Sequence, residues 1–223
     1  MREEGDGIGC CVDSSDEEIK VPVLFRDLPE DVLAIRRVAF SALRREERLD
    51  PEQLALRTGL DDHAIDLALR RLHDAGLVER DRKGCVVGIA GLTLEPTRHR
   101  LVLDGQSLHT WCAIDAVGIP AALSLDAHVT TSCAHCGAQL TVDIDRGEPP
   151  SQSSFRGWLP PTDCKDVRAD LCPLANLFCS LAHLEQWLDG AGDPSGEAAD
   201  LARLAELGRQ AWGDLAPREN QHG

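Results

Sequence analysis

The chain has 223 residues, of which 43% are hydrophobic, enough for the core of one large domain or two small ones. It carries 38 acidic and 23 basic side chains, a formal net charge of −15, and no tyrosine. This charge disfavours nucleic acid and anionic membranes as partners. No apolar run reaches the roughly 20 residues of a membrane span, and the polar N-terminus lacks the apolar core of a secretion signal. We therefore expect a soluble, cytoplasmic protein with a neutral or cationic substrate.

Cysteine is the most informative residue type in the composition. An odd number cannot all pair within one chain, and a reducing compartment disfavours disulfides. Thiol chemistry or metal binding is therefore favoured. The nine cysteines are Cys10, Cys11, Cys85, Cys112, Cys133, Cys136, Cys164, Cys172 and Cys179.

The first 90 residues predict a leader and a small helical module. Residues 1–22 are rich in Glu, Asp, Ser and Gly and predict a disordered acidic leader. Residues 23–90 predict three helices followed by a β-hairpin around the "DRKG" turn, which is a winged-helix-like arrangement. Asp50, Pro51 and Gly59 have the residue types of an N-cap, a first helical position and a C-terminal stop.

The charge of this module argues against DNA recognition. Residues 27–90 hold 11 basic and 13 acidic side chains, and the helix that would enter the groove carries four aspartates beside Arg70 and Arg71. A phosphate-facing helix requires a basic surface. We expect a structural or substrate-covering role instead.

The second half, residues 91–217, predicts a mixed or antiparallel-sheet catalytic domain with flanking helices. Strands are expected in "LTLEPTRHRLVLD" and on both sides of "CAHCGA", a loop over "GEPPSQSSFRGWLPPTD", an apolar helix from "LCPLANLFCSLAHLEQW" and a last helix around "EAADLARLAELGRQAWGDL". The fold class of the whole chain is therefore α+β.

The stretch "LHTWCAIDAVGIP" places a thiol and a carboxyl in an apolar run. One helical turn would bring Cys112 and Asp115 onto the same face, with Cβ atoms about 5–6 Å apart. The two groups could then act on one small molecule. On these residues alone, a buried structural cysteine and an incidental acidic cap remain the alternative.

Two further cysteine patterns carry chemical information. Cys133 and Cys136 form half of a zinc knuckle, but no second Cys-x-x-Cys or His pair is evident, so a buried thiol in a turn is expected at Cys133. Cys172 precedes Pro173 at the expected start of an apolar helix, where the helix dipole would favour a reactive thiolate. A packed, unreactive cysteine is the alternative for Cys172.

Three of these segments together resemble the organomercurial (alkylmercury) lyases of bacterial mercury resistance. The motif "WCAID", the segment "VTTSCAHCGAQLTV" and the segment "LCPLANLFCSLAHLEQW" occur in the family's order and spacing. The resemblance covers nearly everything after residue 27. It implies that Cys112, Asp115 and Cys172 are the catalytic and mercury-binding residues and that Cys133 is a buried structural cysteine. Pro173, Cys136, Cys179 and the absence of tyrosine depart from the pattern of some members.

The resemblance implies a reaction without a cofactor. Soft thiolates bind mercury better than oxygen ligands do, and protonolysis of a carbon–mercury bond needs a proton for the leaving carbon. Cys112 is expected to bind mercury first, while Asp115 deprotonates Cys172 and later protonates the carbon, which gives Hg(II) and a hydrocarbon. Excess cellular thiols would release the bound Hg(II), with a mercuric reductase as one acceptor.

Two other functions use the same cysteines. One is a winged-helix, thiol- or metal-responsive transcription regulator. The other is a protein that binds mercury or another soft metal without catalysis.

Overall fold

The computed structural model describes residues 28–161, 164–192 and 194–216. The described chain begins with three helices, α1 (Glu30–Leu43), α2 (Pro51–Thr58) and α3 (Asp62–Asp74), followed by a hairpin of strands β1 (Val78–Arg80) and β2 (Val86–Ile89). This is the predicted order of elements. The leader, with Cys10 and Cys11, lies outside the described residues.

Local side-chain hydrogen bonds explain several of these boundaries. The Asp50 carboxylate accepts a hydrogen bond from the Gln53 backbone N–H, and Gly59 ends α2 with a φ of 75°. In the "DRKG" turn, the Asp81 carboxylate accepts from the backbone N–H groups of Lys83 and Cys85. The caps and the turn are thus set by residues that are close in sequence.

A seven-stranded antiparallel sheet connects this module to the rest of the chain. Its strand order is β1-β2-β3-β5-β4-β6-β7. Because β2 and β3 pair directly, one sheet contains strands from both predicted domains, and the division into 23–90 and 91–217 stays a prediction. The added strands are β3 (Leu92–Thr93), β4 (His99–Leu103), β5 (Gln106–Thr110), β6 (Ala127–Ser132) and β7 (Gln139–Ile144).

Two segments differ from the sequence-based prediction. The segment predicted as a loop contains β8 (Arg156–Leu159), and the segment predicted as one apolar helix contains β9 (Leu177–Phe178) before α5 (Leu181–Ala191). With β10 (Glu197–Ala199), these strands form a second antiparallel sheet in the order β10-β8-β9. Pairing between strands distant in sequence overrides the local helical spacing.

Helices α4 (Ala113–Leu123) and α6 (Leu201–Trp212) pack closely against each other, and α4 also packs on the first sheet. Almost every residue of α4 is buried. The contact is backbone to backbone, since a Cβ added to Gly118 would lie 2.8 Å from the Cα atom of Gly208. In addition, the Trp212 indole N–H donates to the carbonyl oxygen of Ala90 at 2.7 Å. In the described part of the chain, no helix has the length and apolarity to cross a membrane.

The contact between α4 and α6 predicts an unequal response to two Gly→Ala substitutions. A methyl group at Gly208 would overlap backbone atoms of Gly118, and overpacking of this kind costs roughly 1–3 kcal/mol of unfolding free energy. Gly190, in α5, has open space around its Cβ position, so Gly190→Ala should stabilise the protein by up to about 1 kcal/mol. Urea denaturation measures both. Equal stability of the two variants would contradict the close helix contact.

Candidate active site

The first two candidate residues lie at the start of α4. Strand β5 ends at Thr110, and Cys112 is the N-cap of α4 with extended backbone angles. The Cys112 backbone N–H donates to the Asp115 carboxylate Oδ2 at 2.8 Å, which is the carboxylate half of a capping box. The helix start therefore holds the Asp115 carboxyl next to Cys112.

The third candidate, Cys172, follows a single turn of π-helix, Val167–Leu171, and its N–H donates to the Val167 carbonyl oxygen at 2.9 Å. The prediction that Cys172 lies at a helix N-terminus is wrong. The polypeptide turns after Cys172 because Leu177 and Phe178 pair with β8, and α5 begins only at Leu181.

A backbone hydrogen bond joins this turn to the start of α4. The Ala113 N–H donates to the Ala175 carbonyl oxygen at 3.1 Å. It connects the residue after Cys112 with a residue three positions beyond Cys172. The two cysteine-bearing segments are thus held side by side by main-chain contacts.

The three predicted residues meet in one buried cluster. The Cys112 and Cys172 sulfur atoms and a carboxylate oxygen of Asp115 all lie within 4.8 Å of one another. The relative exposures of Cys112, Cys172 and Asp115 are 1%, 7% and 6% respectively. The cluster is therefore desolvated, which strengthens electrostatic interactions inside it.

Burial changes the protonation of this cluster. Desolvation raises the pKa of Asp115 to about 7, against smaller opposing effects of hydrogen bonds from Cys112 and the Trp111 backbone. Desolvation also raises the pKa of the Cys112 thiol well above its usual value, with further contributions from Cys172 and the Asp115 charge. Near neutral pH the carboxyl group can thus both accept and donate a proton, whereas Cys112 rests as a thiol.

A glycine that sequence reasoning missed makes room for Asp115. Ala90 and Gly91 form the two-residue turn between β2 and β3, with φ values of 50° and 88°. A Cβ on Gly91 would lie 2.5 Å from Asp115 Oδ1. Nothing in the sequence indicates that this turn contacts a residue 24 positions later.

A cavity of about 400 Å³ leads to the cluster. Of the three site residues, Cys172 lines it, whereas Cys112 and Asp115 do not. The lining consists of Glu79, the segment 95–99, Trp111, Arg168, Cys172 and Pro173.

Charged and aromatic side chains form one side of this cavity. Glu79 accepts hydrogen bonds from the Trp111 indole N–H and from Arg168 Nη2, each at 3.2 Å, and the Arg168 guanidinium lies 5.3 Å from the Trp111 ring centroid. Because Glu79 belongs to β1, the N-terminal module contributes a side chain to the cavity.

A neutral histidine lies on the same cavity wall. His99 accepts from Arg98 Nε and pairs with the Thr131 hydroxyl. Burial, together with the Arg98 charge, lowers the pKa of His99 to about 3. Sequence reasoning singled out none of the residues Glu79, Arg98 and His99, because their role depends on how the strands align.

Two buried thiols that lie close together and a carboxyl group with a near-neutral pKa form a site suited to a soft metal ion and to proton transfer. The sulfur atoms suit a soft metal ion, and the carboxyl group suits proton transfer to or from a group bound to that metal.

Comparisons with known proteins identify the family. Residues 92–213 match the family model described as MerB, alkylmercury lyase. The alkylmercury lyase of Bacillus cereus is 30% identical over 73% of this chain and 73% of its own length, and that of Staphylococcus epidermidis is 33% identical over 71% and 72%. The chain belongs to the alkylmercury lyase family, enzymes that cleave carbon–mercury bonds.

A solved structure supports the fold. The chain superposes on the mercury-bound form of MerB2 with a TM-score of 0.81, at 23% identity, covering 88% of this chain and 97% of that one. The predicted α+β class, with helices on antiparallel sheet, is confirmed.

The raised pKa of Asp115 predicts a pH-dependent stability difference between wild type and Asp115→Asn. The folded protein holds a proton on Asp115 up to about pH 7, whereas the unfolded chain releases it near the ordinary pKa of 3.8. Relative to the variant, wild type should therefore lose up to about 4 kcal/mol of unfolding free energy as pH rises from below 4 to above 7. Urea denaturation across this range measures the difference. A constant difference would contradict a raised pKa.

The contact between Gly91 and Asp115 predicts that Gly91→Ala lowers the rate of carbon–mercury cleavage by more than its loss of unfolding free energy would explain. The added methyl group would displace the Asp115 carboxyl group, and the left-handed φ would add strain of roughly 1 kcal/mol. Gly84→Ala is the matched control, since Gly84 also has a positive φ but open space around its Cβ position. Hydrocarbon release and urea denaturation separate the two effects. Equal activity of both variants would refute the role given to Gly91.

Proposed function

We propose that this protein cleaves organomercurials by protonolysis, with Cys172 and Cys112 as mercury-binding thiols and Asp115 as the group that moves the proton. The observation that carries the proposal is the buried cluster in which two sulfur atoms and one carboxylate oxygen lie within 4.8 Å of one another. The raised pKa of Asp115 supports its role in proton transfer near neutral pH.

The cavity favours an order of mercury binding opposite to the one expected from the sequence. A substrate in the cavity meets Cys172 before Cys112, because only Cys172 lines it. The Cys172 thiol first replaces the thiol that carries the organomercurial, and that thiol leaves with the displaced proton. Cys172 then holds R–Hg through one Hg–S bond.

Cys112 supplies the second sulfur. Its thiol interacts with the Asp115 carboxylate, so Asp115 accepts its proton rather than that of Cys172. A metal-bound thiol is deprotonated readily, so the bond to mercury drives this transfer despite the raised pKa of Cys112. Mercury is then bonded to carbon and two thiolates.

The proton on Asp115 completes the reaction. Two thiolates increase the electron density at mercury and weaken its bond to carbon, and the electron pair of that bond accepts the Asp115 proton. The hydrocarbon leaves, Hg(II) remains on Cys112 and Cys172, and Asp115 returns to the carboxylate form. One thiol proton has left with the displaced thiol and the other with the hydrocarbon, so the protons balance.

Release of Hg(II) requires other thiols. Two low-molecular-weight thiols can replace Cys112 and Cys172 by ligand exchange. They can carry the ion to a mercuric reductase, the acceptor expected from the family.

The proposal predicts different losses for the three site variants with phenylmercury in excess thiol. Cys112→Ser and Cys172→Ser should release no benzene above background, because each lacks one of the two sulfur ligands. Asp115→Asn should keep stoichiometric mercury binding but lose roughly 10²- to 10⁴-fold in turnover, the usual contribution of a positioned proton donor. Gas chromatography of benzene and mercury analysis of the desalted protein measure both steps.

Cys85→Ser is the matched control, since Cys85 is a half-buried cysteine outside the cluster and its loss should leave turnover unchanged. If wild type bound mercury but released no benzene, the proposal of catalysis would fail and the protein would only bind mercury. Full activity of Asp115→Asn would overturn the role given to Asp115.

A further inference from the structure

A second cluster of metal-ligand side chains lies apart from the catalytic residues. The sulfur atoms of Cys133, Cys136 and Cys179 and a ring nitrogen of His183 all lie within 4.8 Å of one another. Cys133 is buried, Cys179 and His183 are half-buried, and Cys136 is exposed. The sequence-based statement that Cys133 and Cys136 have no second ligand pair is therefore wrong. The second pair is Cys179 and His183.

The positions of the four residues in the fold explain why both halves can share one centre. Cys133 and Cys136 lie in the turn between β6 and β7, where Gly137 has a φ of 72° and donates its N–H to the Cys133 carbonyl oxygen at 2.9 Å. Cys179 directly follows β9, and His183 lies in the first turn of α5, with its N–H donating to the N-cap Ser180 hydroxyl. Cys179 and His183 thus extend from the end of a strand and the start of a helix.

A backbone hydrogen bond joins the two halves without any ion, since the Ala134 N–H donates to the Leu177 carbonyl oxygen at 3.1 Å. Separately, the Ser154 hydroxyl donates to the Cys179 carbonyl oxygen at 2.9 Å. The donor atoms are therefore positioned before a ligand binds, which lowers the entropic cost of binding it.

The distances between the donor atoms fit a tetrahedral ion. Zinc–sulfur bonds of about 2.3 Å imply about 3.8 Å between ligand atoms of a tetrahedron. The Cys136 and Cys179 sulfur atoms are 3.9 Å apart, and Cys133 Sγ is 3.8 Å from His183 Nδ1. Cys179 Sγ and His183 Nδ1 are closer, at 2.8 Å, and share a hydrogen bond that an ion between them would replace.

A disulfide is the alternative use of the close sulfur pair. It would join Cys136 and Cys179 but would use only two of the four side chains.

From this geometry we infer that Cys133, Cys136, Cys179 and His183 bind one structural Zn²⁺ ion, separate from the mercury bound by the catalytic residues. Three cysteines and one histidine form a closed tetrahedral set, as is typical of structural zinc, and leave no position for a substrate. The ion joins the β6–β7 turn to the segment that follows Cys172. It therefore helps to fix the position of a catalytic thiol seven residues away from Cys179.

The test measures zinc in the full-length protein, purified with a reducing agent and without chelator. Wild type and the double variant Cys112→Ser/Cys172→Ser should each contain about one zinc per chain by plasma mass spectrometry, because the catalytic thiols are not its ligands. Cys136→Ser should lose most of the zinc, whereas Cys136→His, which keeps a ligand at this exposed position, should retain it. Cys85→Ser is the control for removal of a thiol elsewhere.

Two additional measurements distinguish zinc bound at this cluster from adventitious metal. Cobalt substitution of wild type should give the intense visible bands of a tetrahedral thiolate site, and Cys136→Ser should not. A strong chelator should lower the Tm of wild type more than that of Cys136→Ser.

The inference is overturned if wild type contains no more zinc than Cys136→Ser and takes up none when zinc is added. It is also overturned if peptide mapping finds a Cys136–Cys179 disulfide in the reduced preparation. Loss of zinc from the Cys112→Ser/Cys172→Ser variant would place the ion in the catalytic cluster instead. None of these outcomes depends on carbon–mercury cleavage, so the zinc site and the proposed function can fail independently.

Discussion

The hydrogen bond from the Cys112 backbone N–H to the Asp115 carboxylate is the contact on which the catalytic cluster depends. A helix N-terminus has backbone N–H groups without intrahelical partners, and here the Asp115 carboxylate provides one acceptor. Asp115 is thus a structural cap as well as the group proposed to move the proton. The rest of the fold brings other groups to this helix start: the β2–β3 turn gives room for the carboxyl group, and the turn after the π-helix adds Cys172.

The cluster combines a chemical gain with an energetic cost. A carboxyl group with a pKa near 7 is suited to moving a proton at neutral pH, but the same burial means that ionised Asp115 destabilises the folded protein relative to an exposed carboxylate. Of the three residues of the cluster, only Cys172 lines the cavity. In the proposed mechanism, mercury capture therefore begins at a cysteine that lines the cavity, and proton transfer is carried out by the buried Asp115 carboxyl group.

Sequence-based prediction succeeded where the information was local. The Asp50 cap, the stop at Gly59, the "DRKG" turn and the spacing of Cys112 and Asp115 all act within a few residues. It failed where contacts are distant in sequence. The helix expected after Cys172 is interrupted by a strand that pairs with Arg156–Gly157, and the pairing of Cys133 with His183 spans 50 positions. The motif resemblance identified all three catalytic candidates because the motifs of a family include residues that meet in its fold even when they are distant in sequence.

The contact between Gly118 and Gly208 has a consequence for the precision of the catalytic geometry. Gly118 follows Asp115 by three residues, about 4.5 Å along the axis of α4. Helix α6 contacts α4 at this point through backbone atoms, which cannot adjust as a flexible side chain could. Sliding of α4 along its axis would move Cys112 and Asp115 together, and the contact with α6 restricts such movement. A helix without a reactive group thereby helps to fix the position of Cys112 and Asp115 relative to Cys172.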